Sequence, residues 1–262
     1  MQKVRAIVRY DGTDFFGFQR QRNAPTIASA LEGVLTELFH RPTSIICAGR
    51  TDAGVHASGQ VVHFAAPQAF PLERLSIAAN SLLPQAITLH QPHVVANDFS
   101  ARFDAVKRHY IYLLLNRRER CALRSRFTGH DYHQLDVPVM LAAAQAVCGQ
   151  HDFRSFCAQL PQSGGTVRTV YGVKIERCNE LVRFDIEGNG FLHRMVRVLV
   201  GTLLEIGSGR RPVGDIPRIL ACRDRRAAGM TAEAAGLYLA GVTYPDYSSF
   251  TLPSLLPSAE VT

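Results

Sequence analysis

The hydrophobic period of this chain changes repeatedly, and it changes in the same order twice. From Lys3 to Asp11 apolar residues alternate. Val4, Ala6, Val8 and Tyr10 fall on one side and Arg5, Ile7 and Arg9 on the other, the two-residue period of a strand. From Thr26 the period lengthens: Ile27, Ala30, Leu31, Val34, Leu35, Leu38 and Phe39 share a helical face, closed by Pro42. Thr43–Cys47 and Gln60–Ala66 read as a strand pair, Leu72–Leu83 as a helix stopped by Pro84, and Ile87–Val95 as an extended segment that Pro92 confines to an edge or a bend. A second round then begins. His109–Asn116 reads as a strand, and Asp136 caps a helix through Pro138, Leu141, Ala144 and Val147. Val167–Arg177 and Leu181–Glu187 form a hairpin around Cys178-Asn179-Glu180, and Phe191–Ile206 forms a helix ended by Gly207-Ser208-Gly209. A short helix is expected after Asp215, and the last strand spans Gly236–Tyr244.

Two rounds of β-α-β-β-α-β predict an α+β chain of two tandem ferredoxin-like halves, with adjoining antiparallel sheets and a cleft across their junction. The length of 262 residues gives each half room for a core. The expected division is residues 1–105, residues 106–247 and an irregular tail over 248–262. No glycine-rich or charged linker stands near Ala105, so one rigid body is expected.

Charge and cysteine usage narrow the function classes. Lys and Arg exceed Asp and Glu by 29 to 22, and most of the excess is arginine. Guanidinium pairs with phosphate through a fork of N–H groups, so a polyanionic partner is one reading and plain solubility the other. None of the six cysteines forms a C-x-x-C pair, which argues against a zinc site or a disulfide framework; reduced thiols fit a cytosolic protein. No apolar run is long enough for a membrane span, and Met1–Arg5 lacks the apolar stretch of a signal peptide. A cytoplasmic protein is expected.

The polar segment Ala48–Gln60 lies between two of the strand-like runs and carries Gly49, Gly54 and Gly59. Its one carboxylate is Asp52, with Arg50 two positions away. An isolated acid in a turn is commonly only a solvated turn residue; an acid held ionised by a nearby arginine can act as nucleophile or base. Arg50 and Arg197 are the candidates for that arginine, Arg194 and Arg197 being three apart on one expected helix. Tyr110 and Tyr112 alternate on one strand and share a face, from which a ring can stack on a base or simply pack in the core. The chain lacks a G-x-S-x-G elbow, a P-loop and an H-E-x-x-H pair.

Gly49-Arg50-Thr51-Asp52-Ala53-Gly54-Val55-His56 resembles the catalytic signature of the tRNA pseudouridine synthase A family. Other stretches agree: Tyr10-Asp11-Gly12-Thr13 with Gly17–Gln21, Asn80–Pro84, Ala101-Arg102-Phe103 with Tyr110-Ile111-Tyr112, His151–Phe156, Gly190–Arg197, and Gly236–Leu239 through Pro245. Phe18 stands where Trp is common and Glu233 where proline is usual. The resemblance, which spans Lys3 to Tyr247, implies a pseudouridine synthase fold. It implies an isomerase that converts uridine to pseudouridine at positions 38, 39 and 40 of the tRNA anticodon stem-loop. It implies no cofactor and no metal, and a homodimer that holds tRNA jointly. Carried over by residue, Asp52 is the catalytic aspartate, Arg50 assists flipping of the target nucleotide, Tyr110 contacts the target base and Arg197 pairs with Asp52. Two arginine groups, Arg117, Arg118, Arg120, Arg124 and Arg126, and Arg210, Arg211, Arg223, Arg225 and Arg226, are candidate phosphate contacts or merely solubilising. A non-catalytic RNA-binding protein and an acid-base hydrolase are the competing classes. Asp52 with Tyr110 and Arg197 argues against the first, and the lack of a second positioned carboxylate against the other.

Overall fold

A computed structural model describes residues 1–253. In chain order the elements are β1 (Gln2–Tyr10), α1 (Ile27–Phe39), β2 (Ile46–Cys47), β3 (His56–Ala66), α2 (Leu75–Leu82), β4 (Ile87–Val95), β5 (Lys107–Asn116), β6 (Gly129–Asp131), α3 (Val137–Ala144), β7 (Gly149–Asp152), β8 (Val167–Cys178), β9 (Leu181–Gly188), α4 (Met195–Gly207), α5 (Asp215–Cys222), β10 (Leu237–Tyr244) and β11 (Tyr247–Ser248). The result is a mixed α+β protein. Its residues group into two compact units: Met1–Arg108 with the stretch that begins at Tyr238, and His109–Leu237. No helix among the described residues is long and apolar enough to cross a membrane.

In the first unit the strand order is β4-β1-β3-β10, with β2 also on β3 and β11 on β10. β1 is antiparallel to both neighbours, with Val4 opposite Phe64 and Val94, and Val8 opposite Gln60 and Leu89. The alternation seen in the sequence becomes burial: Val4, Ala6, Val8 and Tyr10 lie in the core. Within this unit β4 is the outer strand, with Gln91 at φ 47° and a register shift beside Pro92, so the proline sits where a missing N–H breaks no ladder. Thr26 caps α1 through a reciprocal pair with Ser29. The helix ends at His40, in the left-handed region, two residues before Pro42. Leu38, expected on the buried face, is only half-buried.

The second unit carries β9-β8-β7 in antiparallel register, with β6 parallel to β5. Asn179 makes the β8–β9 turn at φ 54°. Asp136 caps α3 as the sequence predicts, its carboxylate accepting the Val139 N–H at 2.9 Å. α4 is buried on most sides, through Met195, Val196, Val198, Leu199, Val200, Leu203, Leu204 and Ile206, and packs with α3. At roughly 1.5–3 kcal/mol per buried aliphatic side chain, α4 is a principal source of stability for this unit. One expectation fails here. The helix starts at Met195 and not at Phe191, because Arg194 takes the left-handed conformation (φ 58°) and His193–Arg194 form a turn into it, closed by the Met195 N–H on the Leu192 carbonyl at 3.0 Å. Arg194 and Arg197 therefore do not share a helical face.

Candidate active site

β3 begins at His56, four residues earlier than the apolar alternation indicates. Ala57, Ser58 and Gly59 carry no strand signal of their own, but Ala57 pairs with Tyr10 of β1 on one side and with Leu239 of β10 on the other. What remains as loop is short, and neighbouring backbone braces it. The Phe18 N–H donates to the Thr51 carbonyl at 3.0 Å, Gly54 N–H to Phe15 at 3.3 Å, and Val55 N–H to the Asp52 carbonyl at 3.2 Å, closing a turn with Gly54 at φ 75°.

The residues on either side of Asp52 are anchors. Thr51 is 7% exposed and its hydroxyl meets the Tyr10 hydroxyl at 2.8 Å. Val55 is 2% exposed and His56 1%. His56 Nδ1 lies 3.1 Å from the Gly12 N–H, which donates to it, and 3.3 Å from an Asp11 carboxylate oxygen, and the ring stacks on Tyr238 at 4.8 Å between centroids. Gln60, fully buried, donates to the Gly49 carbonyl at 2.6 Å. Two glycines of the segment after β1 permit this fit. A Cβ on Gly12 would lie 2.0 Å from the Val55 carbonyl oxygen. Gly17, at φ +91°, would place one 2.8 Å from the Thr51 oxygen and 3.2 Å from the Ala53 nitrogen. Between these anchors Asp52 is half-buried and Arg50 exposed. Neutral groups supply most of the bonds that hold this backbone.

Arg108 supports the start of the loop. Its guanidinium donates to the carbonyls of Ala105 at 2.8 Å, Arg102 at 2.6 Å and Ala48 at 3.1 Å. Sequence reading passed over both Arg108 and the anchoring role of Gln60. A glutamine inside an apolar strand was the available signal for the second. Cys47, at the loop's beginning, is not a nucleophile: burial pushes its thiol up to about 11 against the opposing pull of Arg50 and Arg102.

Tyr110 and Arg197 belong to the second unit, on β5 and α4. Tyr110 is buried, with its ring edge-on to Phe191 at 5.2 Å. Tyr112 lies deeper, against Phe184, and burial pushes its phenol well up, with Glu233 adding to the rise and Arg197 opposing it. Arg197 is gripped reciprocally by one residue: its Nε donates to the Ala232 carbonyl at 2.8 Å, and the Ala232 N–H donates to the Arg197 carbonyl at 3.0 Å. Glu233, the departure from the family pattern, follows directly on this contact.

The two arginine groups differ. Arg211 bridges Glu205 at 2.9 Å and Asp215 at 2.5 Å, and Asp215 also takes Arg218. Arg223 pairs with Asp152 at 3.2 Å and Arg226 with Asp224 at 2.7 Å. That group is largely engaged in holding α5 and its flanks. In the other, Arg117 pairs with Glu180 at 3.2 Å, whereas Arg118, Arg120 and Arg124 are exposed and form no ion pair among the described residues. Among the described residues no group of three or more His, Cys, Asp or Glu is placed to hold a metal ion.

Residues 6–104 and 143–245 match the family model described as tRNA pseudouridine synthase. The chain is 41% identical over 248 residues to tRNA pseudouridine synthase A of Pseudoalteromonas atlantica, covering 95% of this chain and 94% of that protein. It is 44% identical over 239 residues to the protein of that name from Halalkalibacterium halodurans, covering 90% of each. With that of Acetivibrio thermocellus it shares 41% over 244 residues, 93% of this chain and 100% of the relative. The matched segments include the Asp52 loop, both glycines packed against it, and the Arg197 turn of α4: this chain belongs to the tRNA pseudouridine synthase family, whose members are isomerases.

Proposed function

We propose that this chain isomerises uridine to pseudouridine in tRNA, at positions 38, 39 and 40 of the anticodon stem-loop, with Asp52 as the catalytic carboxylate. One observation carries the assignment of Asp52. Neutral residues anchor the loop, and its single carboxylate, Asp52, is half-buried in the turn they hold, two positions after the exposed Arg50. The names of the relatives support tRNA as substrate.

Chemistry at a base inside a stem requires that base to leave the stack, at a cost of a few kcal/mol. Arg50, exposed on the same loop, fits the task of occupying the vacated space. In the reaction the N1–C1′ bond breaks, a C5–C1′ bond forms, the C5 proton leaves to solvent and N1 takes up a proton, so nothing is gained or lost overall. Asp52 drives this by attack on sugar or base or by removing a sugar proton. Tyr110 contacts the target base and Arg197 pairs with Asp52. We read the two rounds of elements as ferredoxin-like halves divided near residue 105, and two copies of the chain as holding tRNA jointly. The β4-β1-β3 order of the first unit, with β2 on β3, supports the former.

The test is to map pseudouridine in the anticodon arms of unmodified tRNA transcripts after incubation with wild type and with Asp52→Asn. Pseudouridine at 38–40 with wild type alone is the expected result. Full activity in Asp52→Asn would remove the carboxylate from the mechanism, and bound but unmodified tRNA with wild type would leave an RNA-binding protein without catalysis.

A further inference from the structure

β1 carries a second feature that the catalytic loop does not use. Lys3, Arg5 and Arg9 project from the face opposite the buried row Val4, Ala6 and Val8. The register of β1 with β4 places His93 across from Arg5 and Thr88 across from Arg9. His90 joins them, its Nε2 at 2.8 Å from the Thr88 hydroxyl.

These cations are uncompensated. No carboxylate forms an ion pair with Lys3, Arg5 or Arg9 among the described residues, in contrast to the paired arginines around α5. Lys3 donates to the Phe99 carbonyl at 2.9 Å, and the Arg5 guanidinium lies over the Tyr247 ring at 3.4 Å. Arg5 Nη1 and Arg9 Nε are buried and have no hydrogen-bond partner. A guanidinium nitrogen shut from water without an acceptor is costly and rare in a folded protein. Burial, aided by the charge of Arg9, holds the His90 imidazole below its ordinary value, as expected beside a positive charge that nothing local neutralises.

We propose that this face of β1 and β4, with Arg5, Arg9, Thr88, His90 and His93, binds phosphates of the tRNA backbone apart from the target uridine. None of these five side chains carries negative charge. The guanidinium donors match phosphate oxygens in number and geometry, and the threonine hydroxyl and imidazoles add neutral donors of the kind that position a nucleic-acid backbone. The proposal rests on the reading of tRNA as substrate given above.

The test measures binding of a tRNA transcript by full-length protein carrying Asp52→Asn, so that turnover does not intervene, across about 50 to 200 mM salt. Adding Arg9→Gln should weaken binding about five- to tenfold near 100 mM salt and reduce the log–log salt slope by about 1, whereas Arg9→Lys should restore the slope. His93→Glu, at an exposed position, should weaken binding by a comparable factor and serves if Arg9→Gln fails to fold. Unchanged affinity and slope in a folded Arg9→Gln or in His93→Glu would overturn the proposal. So would a change in sedimentation with no change in slope, which would make this face a contact between copies of the chain. Pseudouridine formation by wild type on the same transcript is scored separately. Its absence sinks the functional reading, whereas normal formation with an unaltered slope sinks only this one.

Discussion

The Asp52 loop and the segment around α5 are both short and charged, yet they use charge in opposite ways. In the loop the anchors are a threonine hydroxyl, a buried imidazole, a buried amide and backbone groups, and none of these bonds runs through the Asp52 carboxylate. Around α5 the anchors are the charges themselves: Arg211 between Glu205 and Asp215, and Arg218 on Asp215. An ion pair used for folding cannot be rearranged for chemistry without exposing an uncompensated buried charge. A carboxylate meant to meet a substrate has to be positioned by something else, and the loop shows what that is.

The largest test of this contrast is Asp52→Asn. It should lower turnover by about 10⁴-fold or more while folding and tRNA binding persist, as measured by tritium release from C5-labelled uridine and by thermal melting. An equally large loss of stability would mean that Asp52 is an anchor after all. Arg211→Ala should do the reverse, costing about 2–3 kcal/mol in urea unfolding, moderated by the partial exposure of Arg211, with the tRNA salt slope unaltered. Gly17→Ala should cost about 10²-fold in kcat/KM, because the new Cβ pushes on the backbone of Thr51 and Ala53 and shifts the carboxylate. Normal kinetics in this variant would show the brace to be dispensable. Replacing Arg118, Arg120 and Arg124 together by Gln should weaken tRNA binding by about tenfold and make its salt slope shallower. An unchanged slope would make that segment a bystander.

The smallest effect is in acid. Hydrogen bonds from Arg218 and Arg211 outweigh burial and hold the Asp215 carboxyl below the usual range. A carboxyl whose folded pKa is depressed stabilises the protein above the unfolded value of about 3.9, and that contribution is lost as pH falls through the lower folded value. Stability should therefore decline below about pH 4. In Asp215→Asn that limb should flatten and stability at neutral pH should fall.

Much of this was legible beforehand. The alternation of β1, the Asp136 cap of α3 and the edge position of Pro92 follow from local periods and backbone chemistry, and each is found. The failures have a common cause. α4 starts late because Arg194 adopts a left-handed conformation that no side-chain pattern announces, and β3 starts early because its small residues are made into a strand by neighbours on both sides. The expectation of an irregular tail, for residues 254–262, lies outside the described residues. Earlier in that stretch β11 pairs with β10, and Ser249 is buried with its hydroxyl donating to the Gly59 carbonyl.

By itself, then, the sequence determined most of the order of elements, though not β6 or β7, the identity of the loop that carries Asp52 and the family to which the chain belongs, because periodicity and a contiguous octamer are local properties. Tertiary structure alone decided which charges are held in place and which are presented. The arginines of the α5 region and those of β1 are the same residue type in equally basic stretches. Only folding brought Glu205, Asp152 and Asp215 to the former and left Arg9 facing a threonine and a histidine. An ion pair depends on what lies within a few ångströms in space, and chain neighbours do not specify that.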